Sequence, residues 1–376
     1  MKKIIYIAMF PLTGYIKKYL YIQEMINAGY DIEYWDLKGI YFKGHHFVDV
    51  LSKEYIREIS SFQELEAFLR SEDLTKTIFV LQVYFEWRVL SLCRLMTRFG
   101  CKTVYFPLVM HSRRGLATRI IDGLRPAIFL QSILNMIAKF FKKAGLIKNY
   151  DLVFVAGQLT RDAYKNCARV VNINYLDYDR YQLAKNKSEL IVSGDYCVFL
   201  DEGCVYNEDV KILDLEQLDF GKFYGLLNHF FKDIEKMFNL KVVIAAHPGI
   251  NYDRSLFDGR EIYEGKTCDL VKDCQFVISQ SSTSTSFAVF FKKPIIFVYT
   301  DEYIVKRKPN FRTLEFLSNE LGARSYNMDL TKDVDFLESP SMNLDLYDKY
   351  KYRSFTSPES EGKFSKDIVI ETFQRL

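Results

Sequence analysis

The stretch VVIAAHPGINYD, Val242 to Asp253, decides how the rest of the chain is read. Its apolar run stops abruptly at His247-Pro248-Gly249. Proline fixes φ and has no N–H to give a neighbouring strand, so the run cannot continue as a strand past that point. The sequence therefore predicts a buried strand over Lys241–Ala246 with an imidazole held at its carboxyl end. A strand apolar on both faces belongs to a parallel sheet covered by helices on two sides, and such sheets bind ligands beyond the carboxyl ends of their strands.

The same texture extends outward in both directions. Towards the N-terminus the pattern predicts strands at Ile4–Met9, Asp31–Leu37, Thr77–Val83, Lys102–Phe106, Asp151–Ala156 and Tyr196–Leu200. Helices are expected over Ile16–Ala28, Phe62–Arg70, Arg88–Phe99 and Gly221–Met237, with another beginning at Thr160. Beyond Asp253, strands at Phe276–Ser279 and Pro294–Tyr299 alternate with helices ending at Lys272 and covering Ser284–Phe291. Strands alternating with helices define an α/β fold, and the length of 376 residues calls for more than one core. The polar run Ala184–Glu189 is the natural boundary. The expected layout is a Rossmann-like domain over 1–188, a second over 189–345, and a tail over 346–376 that ends in a helix at Phe364–Arg375 and crosses back to the first domain. The two domains are expected to face a central cleft.

Composition excludes several classes. Apolar residues make up 49% and charged residues 26%, ordinary values for a globular protein. Seven cysteines without CxxC or Cys/His spacing point to neither a disulfide framework nor zinc, which fits a cytoplasmic protein. The lysine-flanked run Ile4–Met9 is too short for a secretory signal and reads as a first strand. No run is long and apolar enough for a membrane span. With a net charge of +3 and no recognised module, nucleic-acid binding is not expected. Between His111 and Asn149, however, eight Lys/Arg stand against the single acid Asp122, interleaved with apolar pairs such as Ile133-Leu134 and Phe140-Phe141. That pattern suits either a basic hairpin packed on the domain or an interfacial helix on anionic lipid, which would make the protein peripheral on the inner face of the cytoplasmic membrane.

Three polar loops follow predicted strand ends. Asp201-Glu202-Gly203 offers two adjacent carboxylates, one of which could serve as a base, and a turn is the plainer reading. His247 can donate to a phosphate oxygen whether protonated or neutral, with Pro248 and Gly249 shaping its position. Ser281, Ser282 and Thr283 open a hydroxyl-rich helix start, a natural seat for phosphate. Between the last two, Glu264 could chelate ribose hydroxyls and Lys266 neutralise phosphate, though a solvated hairpin accounts for both. No Walker loop or GxGxxG occurs, and Asp177-Tyr178-Asp179 lies outside a strand-to-helix turn, so no metal is implied.

In their order and position, Asp201-Glu202-Gly203, His247-Pro248 and Ser281-Ser282 resemble the motifs of bacterial sialyltransferases and related nonulosonic-acid or Kdo transferases of the GT-B fold. The resemblance covers roughly residues 196–300. It implies a metal-independent glycosyltransferase without a cofactor, moving a sialic, pseudaminic or legionaminic type acid, or Kdo, from its CMP ester to a lipopolysaccharide, capsule or glycoprotein glycan, with inversion the expected course. Asp201 or Glu202 would be the base, His247 would donate to the departing CMP phosphate, and Ser281 with Ser282 would hold it. The first domain would bind the acceptor, with Gly14, Tyr15, Tyr84 and Trp87 after its strand ends. The alternatives are a GT-B transferase of UDP- or GDP-sugars, a sugar-nucleotide epimerase of similar fold, and a non-catalytic nucleotide- or glycan-binding protein of a polysaccharide assembly complex.

Overall fold

Strand β1, Lys3–Ala8, sends Ile5 and Ile7 into one apolar cluster and Ile4, Tyr6 and Ala8 into another, as the two-residue period of a strand requires. It therefore lies inside a sheet covered on both faces. The computed structural model of the protein describes residues 2–45, 47, 50–83, 85–107, 126–204, 216–247, 250, 252–330 and 338–376. Among these, the first sheet has seven strands: β1, β2 (Asp31–Asp36), β3 (Ile56–Glu58), β4 (Thr77–Gln82), β5 (Lys102–Tyr105), β6 (Leu152–Ala156) and β7 (Val170–Ile173), in the order β3-β2-β1-β4-β5-β6-β7. The second has six: β8 (Tyr196–Leu200), β9 (Lys241–Ala245), β10 (Ile262–Tyr263), β11 (Val277–Ser279), β12 (Ile295–Tyr299) and β13 (Arg324–Asn327), in the order β10-β9-β8-β11-β12-β13. Every pairing between these strands is parallel. In each sheet the first strand in sequence sits inside, and the order reverses beside it.

The chain forms two compact units, Met1–Asn174 with Thr356–Leu376, and Tyr175–Phe355. Each has its own pair of apolar layers: Tyr196, Val198 and Leu200 of β8 enter one in the second unit, and Cys197 and Phe199 the other. The boundary expected at 188/189 thus falls inside the second unit. Helix Leu176–Ala184 is the reason, since its Tyr178 and Ala184 pack into that unit's core. The tail also divides later than 346. Helix Leu344–Ser354 stays in the second unit, with Tyr347 and Tyr350 buried and the Tyr347 hydroxyl donating to the Lys293 carbonyl at 3.0 Å.

From Thr356 onward the chain rebuilds the first unit. Buried Asn174 gives its amide N–H groups to the carbonyls of Ser360 and Lys363 at 3.0 and 2.9 Å, and its backbone N–H to Ser365 Oγ at 3.1 Å. Helix Ser365–Gln374 then buries Val369 and Phe373 against that unit's core.

The helix expected over Ile16–Ala28 is two helices, Gly14–Tyr19 and Ile22–Asn27, broken where Tyr21 takes φ 54. The break allows Leu20, Tyr21 and Ile22 all to be buried. A continuous helix would spread three consecutive side chains over about 200° and bury only part of them.

Candidate active site

Strands β9, β8 and β11 are neighbours, and Leu200 pairs with both Ala245 and Ser279. The three strands therefore end level, and the loops after them emerge within about 10 Å at the usual strand spacing. This register brings Asp201, Glu202, Gly203, His247 and Ser281 into one place. Pro248 and Gly249 lie outside the described residues.

Asp201 is the first residue beyond β8 and is buried. Its Oδ1 accepts the Gly203 N–H at 3.1 Å, and its Oδ2 accepts the Tyr252 hydroxyl. That hydroxyl in turn accepts the His247 N–H at 3.1 Å, so one phenol joins the acid to the histidine loop. Gly203 has φ 62, and a Cβ there would stand 3.4 Å from His247 Cγ and collide with Ile250 Cδ1. Glycine is favoured here by the left-handed backbone, and a larger residue would also displace the Ile250 side chain. Burial pushes the Asp201 carboxyl above the usual carboxylate range, against the pull of its hydrogen bonds and of His247.

Glu202 faces the other way. Its Oε2 accepts the Ser281 N–H at 2.9 Å and the Ser281 hydroxyl at 2.5 Å, and its Oε1 accepts the Tyr303 hydroxyl at 2.5 Å. Asn310 Nδ2 donates to Ser281 Oγ at 3.2 Å. Burial raises this carboxyl too, and the adjacent Asp201 charge adds to the rise. The two acids are thus differently employed: Asp201 is tied through Tyr252 to the backbone of His247, whereas Glu202 bolts the end of β8 to Ser281 after β11 and to the helix Asp301–Lys306, and Asn310 of the helix Lys308–Leu321 holds Ser281 in turn.

The serine-rich loop serves its own fold as much as a ligand. Helix Thr285–Phe291 starts after turns in which the carbonyls of Ser282 and Thr283 accept the N–H groups of Thr285 and Ser286 at 3.2 Å each. Ser286 Oγ donates to Asp177 Oδ2 at 2.7 Å, which gives the Asp177-Tyr178-Asp179 motif a structural contact. Thr283 is exposed. Glu264 and Lys266 are exposed on the loop after edge strand β10, two strands away from β8.

In the first unit, Gly14 and Tyr15 follow β1 and Trp87 follows its neighbour β4. The Tyr15 ring stacks on Tyr19 at 6.2 Å and is exposed, and the Trp87 N–H donates to Asn135 Oδ1 at 2.9 Å. Tyr84 lies outside the described residues. Among those described, no three His, Cys, Asp or Glu side chains converge to hold a metal ion.

Sequence reasoning missed Tyr252, Tyr303, Asn310 and Arg307. Tyr252 was within the opening stretch, and the other three follow β12, whose polar sequel Thr300–Asn310 resembles the loops after β8 and β11. The buried Arg307 guanidinium donates to the carbonyls of Cys204 at 3.1 Å and Glu216. Two polar groups keep unused capacity here. Among the described residues, the fully buried Gln280 has no hydrogen-bond partner for either amide atom, and the same is true of His247 Nδ1.

No protein-family model matches the sequence, and neither does any curated protein. Among solved structures, a variant of the wall teichoic acid polymerase TagF aligns with a TM-score of 0.54 at 11% identity, covering 100% of this chain and 88% of that one. The same polymerase soaked with CDPG aligns at 0.53 and 10% identity, with the same coverage. The spinosyn forosaminyltransferase SpnP follows at 0.49 and 12%, covering 100% and 99%. Two Rossmann-like parallel sheets in succession and the likeness to the teichoic acid polymerase define the fold as GT-B.

Proposed function

We propose that this protein is a glycosyltransferase that takes its sugar from a nucleotide-activated donor, with Asp201 as the base that deprotonates the acceptor hydroxyl. The observation that carries the reading is the level ending of β9, β8 and β11, which sets the buried Asp201 carboxyl and the His247 loop together at the place where an α/β sheet receives its ligand. Glycosyl transfer needs a proton acceptor for the nucleophile and a donor for the departing phosphate, and Asp201 and His247 have those chemistries. Glu202, whose oxygens already accept three hydrogen bonds, is the support that fixes Ser281.

The motif order favours a CMP ester of a nonulosonic acid or Kdo as donor, with a surface glycan as acceptor. The second reading is a UDP- or GDP-sugar. Thermal shifts with CMP, UDP and GDP rank the two, and a clear preference for UDP or GDP sinks the first. In a donor-turnover assay, Asp201→Asn is expected to cut kcat by about 10²–10⁴ while nucleotide affinity holds. An equal loss of kcat in Glu202→Gln alone would move the base to Glu202. Nucleotide binding without any release of sugar to glycan, water or an epimer would make the chain a binding protein.

A further inference from the structure

Among the described residues, the helix Pro126–Lys143 is docked along one side. Ala138 is buried, Phe141 packs against the core of the first unit, Asn135 holds the Trp87 N–H, and Lys142 Nζ stands 4.7 and 5.0 Å from the ring centres of Phe85 and Tyr150. At about 100° per residue, the arc turned away from those contacts carries Leu130, Ile133, Met136, Ile137 and Phe140, bordered by Lys139 and Lys143. Leu130 is 59% exposed, Met136 64%, Ile137 44% and Phe140 67%. Leu146, just past the helix, is also exposed. Singly exposed apolar residues are ordinary, but a contiguous stripe of large ones marks a contact surface.

The charge pattern selects the partner. From Pro126 to Asn149 there is no acidic residue, and Lys139 and Lys143 point to solvent beside the apolar arc. Two copies of the chain joined through this face would set lysines against lysines with no carboxylate between them. An anionic lipid surface complements it. Acyl chains receive the apolar arc to a shallow depth and lipid phosphates meet the flanking ammonium groups. No helix among the described residues is long and apolar enough to cross a membrane, so contact of this kind lies in the interface plane.

We infer that the outer face of helix Pro126–Lys143 is a docking surface for an anionic membrane. This stands independently of the transferase reading, because it rests on the helix alone. The test is co-sedimentation of the full chain with vesicles of phosphatidylcholine, and of phosphatidylcholine with an equal part of phosphatidylglycerol. The wild type is expected to bind the anionic vesicles at least about tenfold more strongly, with binding weakened by salt. Met136→Asp with Phe140→Asp should lower that binding by about tenfold or more. Lys139→Glu with Lys143→Glu, which alters only exposed side chains, should abolish the preference for anionic vesicles, and circular dichroism checks that each variant is folded. The inference is overturned if the wild type does not sediment with anionic vesicles, if both folded variants bind as the wild type does, or if light scattering shows a dimer that the Met136/Phe140 variant converts to monomer.

Discussion

Adjacent carboxylates with the same sequence neighbourhood acquire different roles here because their partners differ. Asp201 is tied by a single phenol to the histidine loop, and Glu202 by two hydroxyls and an N–H to the elements beneath. Asp201 also gives a signed pH prediction. Its folded pKa is raised by burial, so the stability it contributes is full below the unfolded value of about 4 and is lost as pH rises through the folded value. Asp201→Asn removes the ionisation. Its Tm should match the wild type in acid and exceed it increasingly towards neutral pH, and melting curves across that range check this. A variant less stable than the wild type at neutral pH would mean that the ionised Asp201–Tyr252 contact outweighs the burial cost.

At the scale of elements, the short helix Thr285–Phe291 shows how a site is held by ordinary helix chemistry. It ends on Lys292 in the left-handed region with φ 52, a conformation that costs a non-glycine residue about 1–2 kcal/mol. The Lys292 side chain makes an exposed ion pair with Asp348 at 3.6 Å, an interaction worth little in water. Lys292→Gly is therefore expected to stabilise the protein by about 1 kcal/mol in urea denaturation. The serine-rich start of this helix, in contrast, is already committed. Its turn bonds and the Ser286–Asp177 contact shape the loop before any ligand arrives.

For the whole molecule, the consequential feature is that the first unit is discontinuous. Residues Thr356–Leu376 complete a core begun by Met1–Asn174, with Phe373 fully buried and stacked on Phe154 at 6.0 Å. Phe373→Ala should therefore cost about 3–5 kcal/mol, and the loss should be confined to the first unit. Hydrogen exchange resolved by peptide reads this as lowered protection in β1 and β6 with β8 and β11 unchanged. Equal loss in both units would show that they unfold as one body.

The sequence by itself determined the central strands and the loops that follow them. Strands buried on both faces are written as unbroken apolar runs, and their ends as abrupt polar residues such as Asp201 or His247-Pro248. The edge strands β3, β7, β10 and β13 escaped that reading, because a strand paired on one side only is short and part-exposed, and IRE, VVNI, IY and RSYN carry little periodicity. Tertiary structure alone decided the rest: that β9, β8 and β11 end level, that Glu202 is spent on Ser281 and Tyr303, and that the chain returns at Thr356 to finish its first core. These are contacts between residues 45 or more positions apart, as from Leu200 to Ala245, and up to 191 apart, as from Asn174 to Ser365. Local pattern fixes which segments become strands; only their mutual register, set by packing between distant segments, fixes which side chains meet.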